Sequence, residues 1–373
     1  MDVLSTILAF IAVLVVLVVI HELGHFTVAK LAGITVQEFG IGFPPRIAST
    51  TWRGTRYSVN WIPLGGFVKM LGEDGEIEAE KMRDRGLSEA TIDKAMVGAF
   101  NRKPILVRLA VLLAGVVMNF LLAIVLFAAA FSVAQPIRVP PLTVTEIQPN
   151  SPAQGTLQVG DQITSADHRQ FDRANDLIDY IGQQAGHAVS LQVERDAQAI
   201  DISVTPRQLT DEQRQAGLGA VGFGLTAETV MGPPVAGSLL DALGSGAQTT
   251  VELARQIPGG LASTVAGLIG LAPNTGDARG PIGIAQVTGE VLHQTLFDQL
   301  VFVGLLSVNL AVLNVLPFPP LDGGRIAVTA LEAVRRRRLP AEREALIYLT
   351  GFLVLIALVI LISIQDIQRV SGG

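Results

Sequence analysis

Long apolar runs separated by short polar stretches dominate this chain. A helix crosses a bilayer core with roughly 20 mostly apolar residues. Four segments reach that length, at about 3 to beyond 20, 105 to 133, 296 to 316 and 345 to 364. A cleaved signal peptide is the rival reading of the first run. It would need a basic N-terminal region and a small-residue cleavage site. The run instead follows Met1-Asp2 and leads into His21-Glu22-Leu23-Gly24-His25, so a retained span is expected.

Between the spans the periodicity changes. Tyr57, Val59 and Trp61 alternate with Ser58 and Asn60, a period of two that predicts a strand. Arg53-Gly54-Thr55 supplies a turn, with 47–51 as partner strand; 39–45 is rich in Gly and Pro. Such a hairpin enters a membrane only where protein or a water-filled cavity satisfies its backbone. Residues 73–94 predict a charged cytoplasmic helical stretch. Residues 138–226 predict a small external α+β domain: strands at 142–147 and about 163, a helix at 174–183, and strands at 189–194 and 199–205. In 233–280, Leu239, Leu240, Leu243, Leu253, Ile257, Leu261, Val265 and Leu268 have helical spacing, interrupted by Pro258-Gly259-Gly260. These predict amphipathic helices on or near the outer surface, not a further span.

Composition sharpens this picture. Of 373 residues, 49% are hydrophobic and 16% charged, against about 25% charged in soluble proteins; mean hydropathy is +0.47. The net charge of -6 offers no basic footprint for nucleic acid. Zero cysteines exclude disulfides, Cys-based zinc modules and thiol catalysis. Lys and Arg near span ends mark the cytoplasmic side. Lys30, Arg102, Lys103, Arg108, Arg325 and the run Arg335 to Arg338 place both termini and the long segment from about 135 to 295 outside. The arginine run itself reads as a solvated topology signal.

A metal site without cysteine must use His, Asp or Glu. The histidines are His21, His25, His168, His187 and His293. His21 and His25 form His-Glu-x-x-His, which on a helix puts both imidazoles on one face, where one Zn²⁺ accepts both. Glu22 lies beside them and is placed to act as general base. A chance match on an ordinary surface helix is the bland alternative. The position at the end of an apolar span argues against it, because ionisable groups at membrane depth are costly. A catalytic zinc needs a third protein ligand and an open position. His168, His187 and His293 fall on the opposite side by the charge rule and read as surface or packing residues. Asp322 is the carboxylate of the stretch 309–324, where Pro317, Pro319 and Pro320 break the third helix. It lies on the same side as His21 and His25. Its bland reading is a turn, Asp322-Gly323-Gly324.

Two resemblances follow. The order of elements in 138–226, with Asn150-Ser151-Pro152-Ala153 and Gly160-Asp161-Gln162-Ile163, resembles a PDZ domain of bacterial membrane and periplasmic proteases. His168-Arg169 departs from the Asn-Gly or Asp-Gly usual at the next turn. The whole chain resembles the site-2 proteases, an intramembrane zinc metalloprotease family, and within it the bacterial regulator-of-sigma-E protease (RseP) type. The residues that carry this are His21 to His25, Gly40 to Pro44, Ile62 to Val68, Ala114-Gly115 with Asn119-Phe120, Gly280 to Ala285 and Asn314 to Gly324.

The resemblance implies regulated intramembrane proteolysis. His21, His25 and Asp322 would bind zinc, Glu22 would be the general base, and Asn314 would contact substrate backbone. The hairpin before Pro63-Leu64-Gly65-Gly66 would pair with an extended substrate, and the PDZ domain would exclude bulky ectodomains. Substrates would be single-span proteins, such as an anti-sigma factor already trimmed by a site-1 type protease, or signal-peptide remnants. One PDZ domain fits the length where longer relatives have two.

The expected fold is an α-helical polytopic membrane protein with four transmembrane helices, a membrane-associated β-hairpin and one external α+β PDZ domain. Its parts are 1–33 (first span), 34–103 (hairpin and cytoplasmic helical segment), 104–134 (second span), 135–230 (PDZ), 231–295 (amphipathic segment), 296–324 (third span with Leu-Asp-Gly) and 325–373 (basic loop and fourth span). The expected location is the bacterial inner membrane, in contact with lipid, with the active site toward the cytoplasm. Two other functions fit the spans less well. A catalytically inactive PDZ-bearing receptor would not need Glu22. A metal transporter would often show internal repeats with paired broken helices, and none is visible.

Overall fold

The computed structural model describes residues 3–73, 77–210, 213, 219–268, 279–335, 337 and 339–371. Parts of the sequence reading that fall on 1–2, 74–76, 211–212, 214–218, 269–278, Arg336, Arg338 and 372–373 lie outside these residues. The chain divides into two compact units, Met1–Ser132 with Ala236–Gly373, and Val133–Val235.

The first unit opens with helix α1 (Val3–Leu31), followed by strands β1 (Val36–Trp52) and β2 (Thr55–Met70). The hairpin turns at Arg53-Gly54, where both residues take positive φ. It is much longer than the alternation at 57–61 predicted. Glu38 to Ile41 is partnered twice, by Arg56 to Val59 and by Gly66 to Lys69, so the two strands fold back on themselves. Short-range alternation misses this because the inner pairs join residues far apart and Gly40, Gly42, Gly65 and Gly66 erase the period. Ile34, Val36, Val68 and Met70 at its base pack with Ala29, Phe100, Val111 and Leu112.

The charged stretch forms two short helices, α2 (Ile77–Asp84) and α3 (Glu89–Ala95). Helix α4 (Ile105–Phe131) starts directly after Pro104, a position where the missing proline N–H costs nothing.

Among the described residues, the second unit is a five-stranded sheet in the order β6-β5-β4-β3-β7 with the helix α5 packed on it. Its strands are β3 (Gln135–Ile147), β4 (Gln162–Ala166), β5 (Val189–Arg195), β6 (Gln198–Val204) and β7 (Phe223–Gly232); helix α5 is Ala174–Gln183. Leu142, Val144, Ile163, Leu177, Ile181, Leu191 and Val193 form its core. Asp167 and His168 take the turn with φ of 48° and 62°, a conformation that Asn-Gly adopts readily. Strand β7 escaped the sequence reading. Most of its side chains are half-buried or exposed, so it shows no clean alternation.

The first unit then resumes with α6 (Leu239–Leu268), α7 (Pro281–Val291), α8 (Leu296–Val315), α9 (Asp322–Arg335) and α10 (Ala341–Ser371). Helix α6 corrects the expectation of an interruption at Pro258-Gly259-Gly260. It runs unbroken through Pro258, and Leu253, Ala254 and Ile257 pack on Ala123, Phe127, Val308 and Val312 of α4 and α8. Proline removes one helical hydrogen bond, and burial of the neighbouring face against two helices outweighs that loss.

Helix α7 docks on α10 through a buried carboxylate. Asp366 accepts the backbone N–H groups of Gly280 (3.2 Å) and Gly283 (2.8 Å), which would otherwise be orphaned at a helix start. Helix α8 begins with a reciprocal capping box between Thr295 and Asp298 and ends where the prolines begin.

Four of these helices are long and apolar enough to cross a membrane: Leu4–Leu31, Ile105–Phe131, Leu296–Val315 and Glu342–Gln368.

Candidate metal centre

The centre is assembled from α1, α4 and the start of α9. His21 and His25 sit four residues apart on α1, so their rings meet edge to face at 4.8 Å. Asp322 opens α9 after the proline-rich turn. The two glycines that follow it are required by close packing. A Cβ at Gly323 would lie 2.0 Å from the Leu316 carbonyl, and one at Gly324 would lie 2.8 Å from the Pro319 nitrogen.

His21 Nε2 lies 2.9 Å from Asp322 Oδ2, His25 Nε2 lies 3.2 Å from the same oxygen, and the two Nε2 atoms are 3.1 Å apart. Both histidines are buried. His25 Nδ1 donates to the Val111 carbonyl at 2.8 Å. In a neutral ring that leaves a lone pair on Nε2, aimed at a carboxylate oxygen and a second imidazole. With His21 Nε2 beside them, these atoms form a cluster that a shared cation suits. The separations are also close to the edges of a tetrahedral site with bonds of about 2.0–2.1 Å to zinc. The residues present therefore fit Zn²⁺, and among the described residues these three form the group able to hold a metal.

Gly115 of α4 makes room for this arrangement. A Cβ there would fall 2.4 Å from His25 Nε2 and 2.7 Å from His21 Nε2. Gly24 allows the helices to approach, since its Cβ would meet the Ala114 carbonyl at 2.3 Å.

Glu22 is half-buried and lines a cavity of about 130 Å³ with His25, Gly66, Phe67, Asp322 and Arg325. Arg325, one turn past Asp322, pairs with Glu73. Burial opposes its charge, but the Glu73 carboxylate holds its pKa above the ordinary arginine value. The segment Gly66 to Lys69 passes beside Glu22: a Cβ on Gly66 would lie 3.4 Å from Glu22 Cγ. That segment pairs with Glu38 to Ile41 on one side. No strand pairs with its other side among the described residues.

The remaining sequence candidates lie elsewhere. Asn314 is half-buried in the last turn of α8, does not line this cavity, and makes no side-chain hydrogen bond among the described residues. His168 and His187 belong to the second unit, and His293 follows α7. Sequence reasoning gave no role to Val111, Gly115 or Asn119. The available signal was an asparagine within an apolar span, four residues after a glycine on the same helical face.

Comparison with known proteins adds four findings. The profile of peptidase family M50 matches residues 9–358. A chain from Clostridium perfringens, named as a zinc metalloprotease, is 32% identical over 98% of both chains. The regulator of sigma-W protease RasP of Bacillus subtilis is 28% identical, covering 98% of this chain and 99% of its own. Among solved structures, the PDZ domain of the SdrC-like protein from Listeria innocua is similar to 24% of this chain and 97% of its own, at 22% identity and a TM-score of 0.21.

Proposed function

Because the chain belongs to peptidase family M50, and so is a membrane zinc metalloprotease of the site-2 type, we propose that it hydrolyses peptide bonds within or beside the transmembrane segments of single-span proteins. One observation carries the reading: three potential metal-ligand atoms, His21 Nε2, His25 Nε2 and Asp322 Oδ2, converge within 3.2 Å of one another at the end of an apolar span.

His21, His25 and Asp322 would hold the metal. When bound, zinc supplies Lewis acidity, which brings the pKa of water near 7 and polarises a carbonyl. Glu22 takes the proton of the attacking water on its carboxylate and returns it to the leaving amine nitrogen. The open side of Gly66 to Lys69 offers unpaired backbone groups to a substrate that has unwound into a strand, as in β-augmentation. Asn314, in the last turn of α8 and outside this cavity, contacts the substrate backbone in this reading.

We read this site as facing the cytoplasm and both termini as lying outside, on the strength of the basic residues that flank the spans. We read Val133–Val235 as one PDZ domain, on the outer side, that restricts entry of substrates with bulky ectodomains. The Bacillus relative is named a regulator of sigma-W. By analogy, the substrates here are anti-sigma factors pre-cleaved by a site-1 type protease, or signal-peptide remnants.

The test is cleavage of a transmembrane peptide by the purified protein in detergent. Glu22→Gln should lower the rate by about 10²–10⁴-fold with zinc content unchanged at one per chain, and Asp322→Ala should lose the metal. Full cleavage by Glu22→Gln would refute the mechanism. Crosslinking with Glu22→Gln in membranes should retain single-span proteins.

A further inference from the structure

We propose that Asn119 turns its side-chain carbonyl oxygen toward His21, and so fixes which ring nitrogen of His21 meets the metal. The inference rests on His21, His25 and Asp322 being the zinc ligands. Asn119 is then a positioning residue, acting through His21.

Asn119 lies on α4 and is fully buried. Its side-chain nitrogen is placed 3.2 Å from His21 Nδ1, while its Oδ1 has no hydrogen-bond partner. The two ends of an amide have nearly the same shape, so the hydrogen-bond network decides between them. With the amino group facing His21, Nδ1 must accept, and the ring proton sits on Nε2. That atom lies 2.9 Å from Asp322 Oδ2 and 3.1 Å from His25 Nε2, where the metal is held. With the amide exchanged, Oδ1 accepts the proton of Nδ1, and the Nε2 lone pair is free for the metal. The oxygen moves from a position that meets no donor to one that meets a ring N–H.

The neighbouring ligand is held in the same sense. His25 Nδ1 donates to an oxygen of α4, the Val111 carbonyl. Val111, Gly115 and Asn119 are spaced by four residues and fall along one side of α4, facing His21 and His25 on α1. Gly115 provides the space, and an oxygen on each side of it fixes one imidazole. Ser307 of α8 donates to the Asn119 backbone carbonyl at 2.8 Å and pins this part of α4. Metal-binding histidines generally donate their second ring N–H to such an oxygen, which fixes the tautomer.

The experiment measures zinc affinity by chelator competition on the full-length protein in detergent, with wild type, Asn119→Asp and Asn119→Leu. A carboxylate accepts the Nδ1 proton, whereas leucine has similar size and no acceptor. We expect Asn119→Leu to bind zinc about 10–100-fold more weakly and Asn119→Asp to bind at least as tightly as wild type. Wild-type affinity in Asn119→Leu, or an Asn119→Asp protein tenfold weaker than wild type, would overturn the proposal. If Asn119→Leu does not fold, judged by the thermal midpoint of the zinc-free protein, Asn119→Asp against wild type decides alone. Wild type that binds no zinc, or Asp322→Ala that retains it, would instead refute the ligand set. Unchanged affinity in Asn119→Leu, with zinc bound by wild type and lost by Asp322→Ala, would remove Asn119 only.

Discussion

In Val133–Val235 the apolar residues Leu142, Val144, Leu177, Leu191 and Val193 are buried and most charged residues face outward. In the spans of the other unit Leu8, Val16, Leu106 and Leu353 are more than half exposed, while His21, His25, Asn119, Ser307 and Asp366 are buried. One part is organised for water and the other for lipid. A water-exposed domain gains stability by removing apolar area from solvent. Helices in lipid gain little from that, because the acyl chains are as apolar as leucine, and associate through small residues and interhelical hydrogen bonds. Gly24 against Ala114 and Ser307 against Asn119 are contacts of that second kind. In the membrane unit the buried polar side chains divide between the candidate metal centre, with His21, His25 and Asn119, and helix contacts, with Ser307 and Asp366.

The sharpest way to break this comparison is to add an apolar group where the membrane unit needs none. Gly115→Val should displace both histidines. A misplacement of about 1 Å costs ~10²-fold in rate, so peptide cleavage should fall at least that far and zinc should be lost. Retained zinc and activity would show that α4 does not approach the ligands this closely.

A pair of truncations tests the two solvents next. Leu191→Ala, in the core of the water-exposed unit, should cost about 2–5 kcal/mol. Leu353→Ala, on the exposed face of α10, should stay within about 0.5 kcal/mol. Hydrogen-exchange protection of the full chain in detergent reads both. Equal losses would erase the distinction.

A smaller effect is expected at Asp161, which is buried yet fully partnered. It accepts from Arg195 at 2.6 and 2.7 Å and from the Gln158 N–H at 2.8 Å. Arg195→Ala should destabilise Val133–Val235 by about 1.5–3 kcal/mol and leave zinc binding untouched. Protection factors of that unit and metal content provide the two readouts.

The smallest effect is the pH dependence of the same unit. Arg195 holds the Asp161 carboxyl below its ordinary value. The Ser190 N–H and then the Tyr180 hydroxyl do so for Asp167. Both folded pKa values are depressed, so their contribution is complete above the unfolded value of about 3.9. It is lost as pH falls below that value through the folded ones. Protection factors should be level down to about pH 5 and decline below about 4, less steeply in Arg195→Ala.

Much of this molecule was legible in its residues. The spans stood out because about 20 apolar residues need no partner to be recognised. The pattern predicts helix α5 at 174–183 and strands β5 and β6 within a residue of each end, because each is short, strongly patterned and packed on one core. What escaped depended on distant neighbours. The double pairing of Glu38 to Ile41, the half-exposed β7, and the continuity of α6 through Pro258 leave no local trace. At the centre, His21 and His25 were legible because helical spacing alone brings them to one face. Asp322 needed topology and resemblance, because 301 positions separate it from His21.

The sequence by itself determined which residues could do the chemistry: a histidine pair with an adjacent glutamate at a span end, no cysteine, and one carboxylate in a proline-broken turn. Only the tertiary structure decided their geometry. It put Asp322 Oδ2 2.9 Å from His21, the Val111 carbonyl on His25, Gly115 where any side chain would collide, and Asn119 behind His21. The reason is the range of the forces. Periodicity records how a segment meets its solvent, residue by residue. A tautomer, a lone-pair direction or a fraction of an ångström at Gly115 is set by atoms from three helices that meet only when the chain is folded.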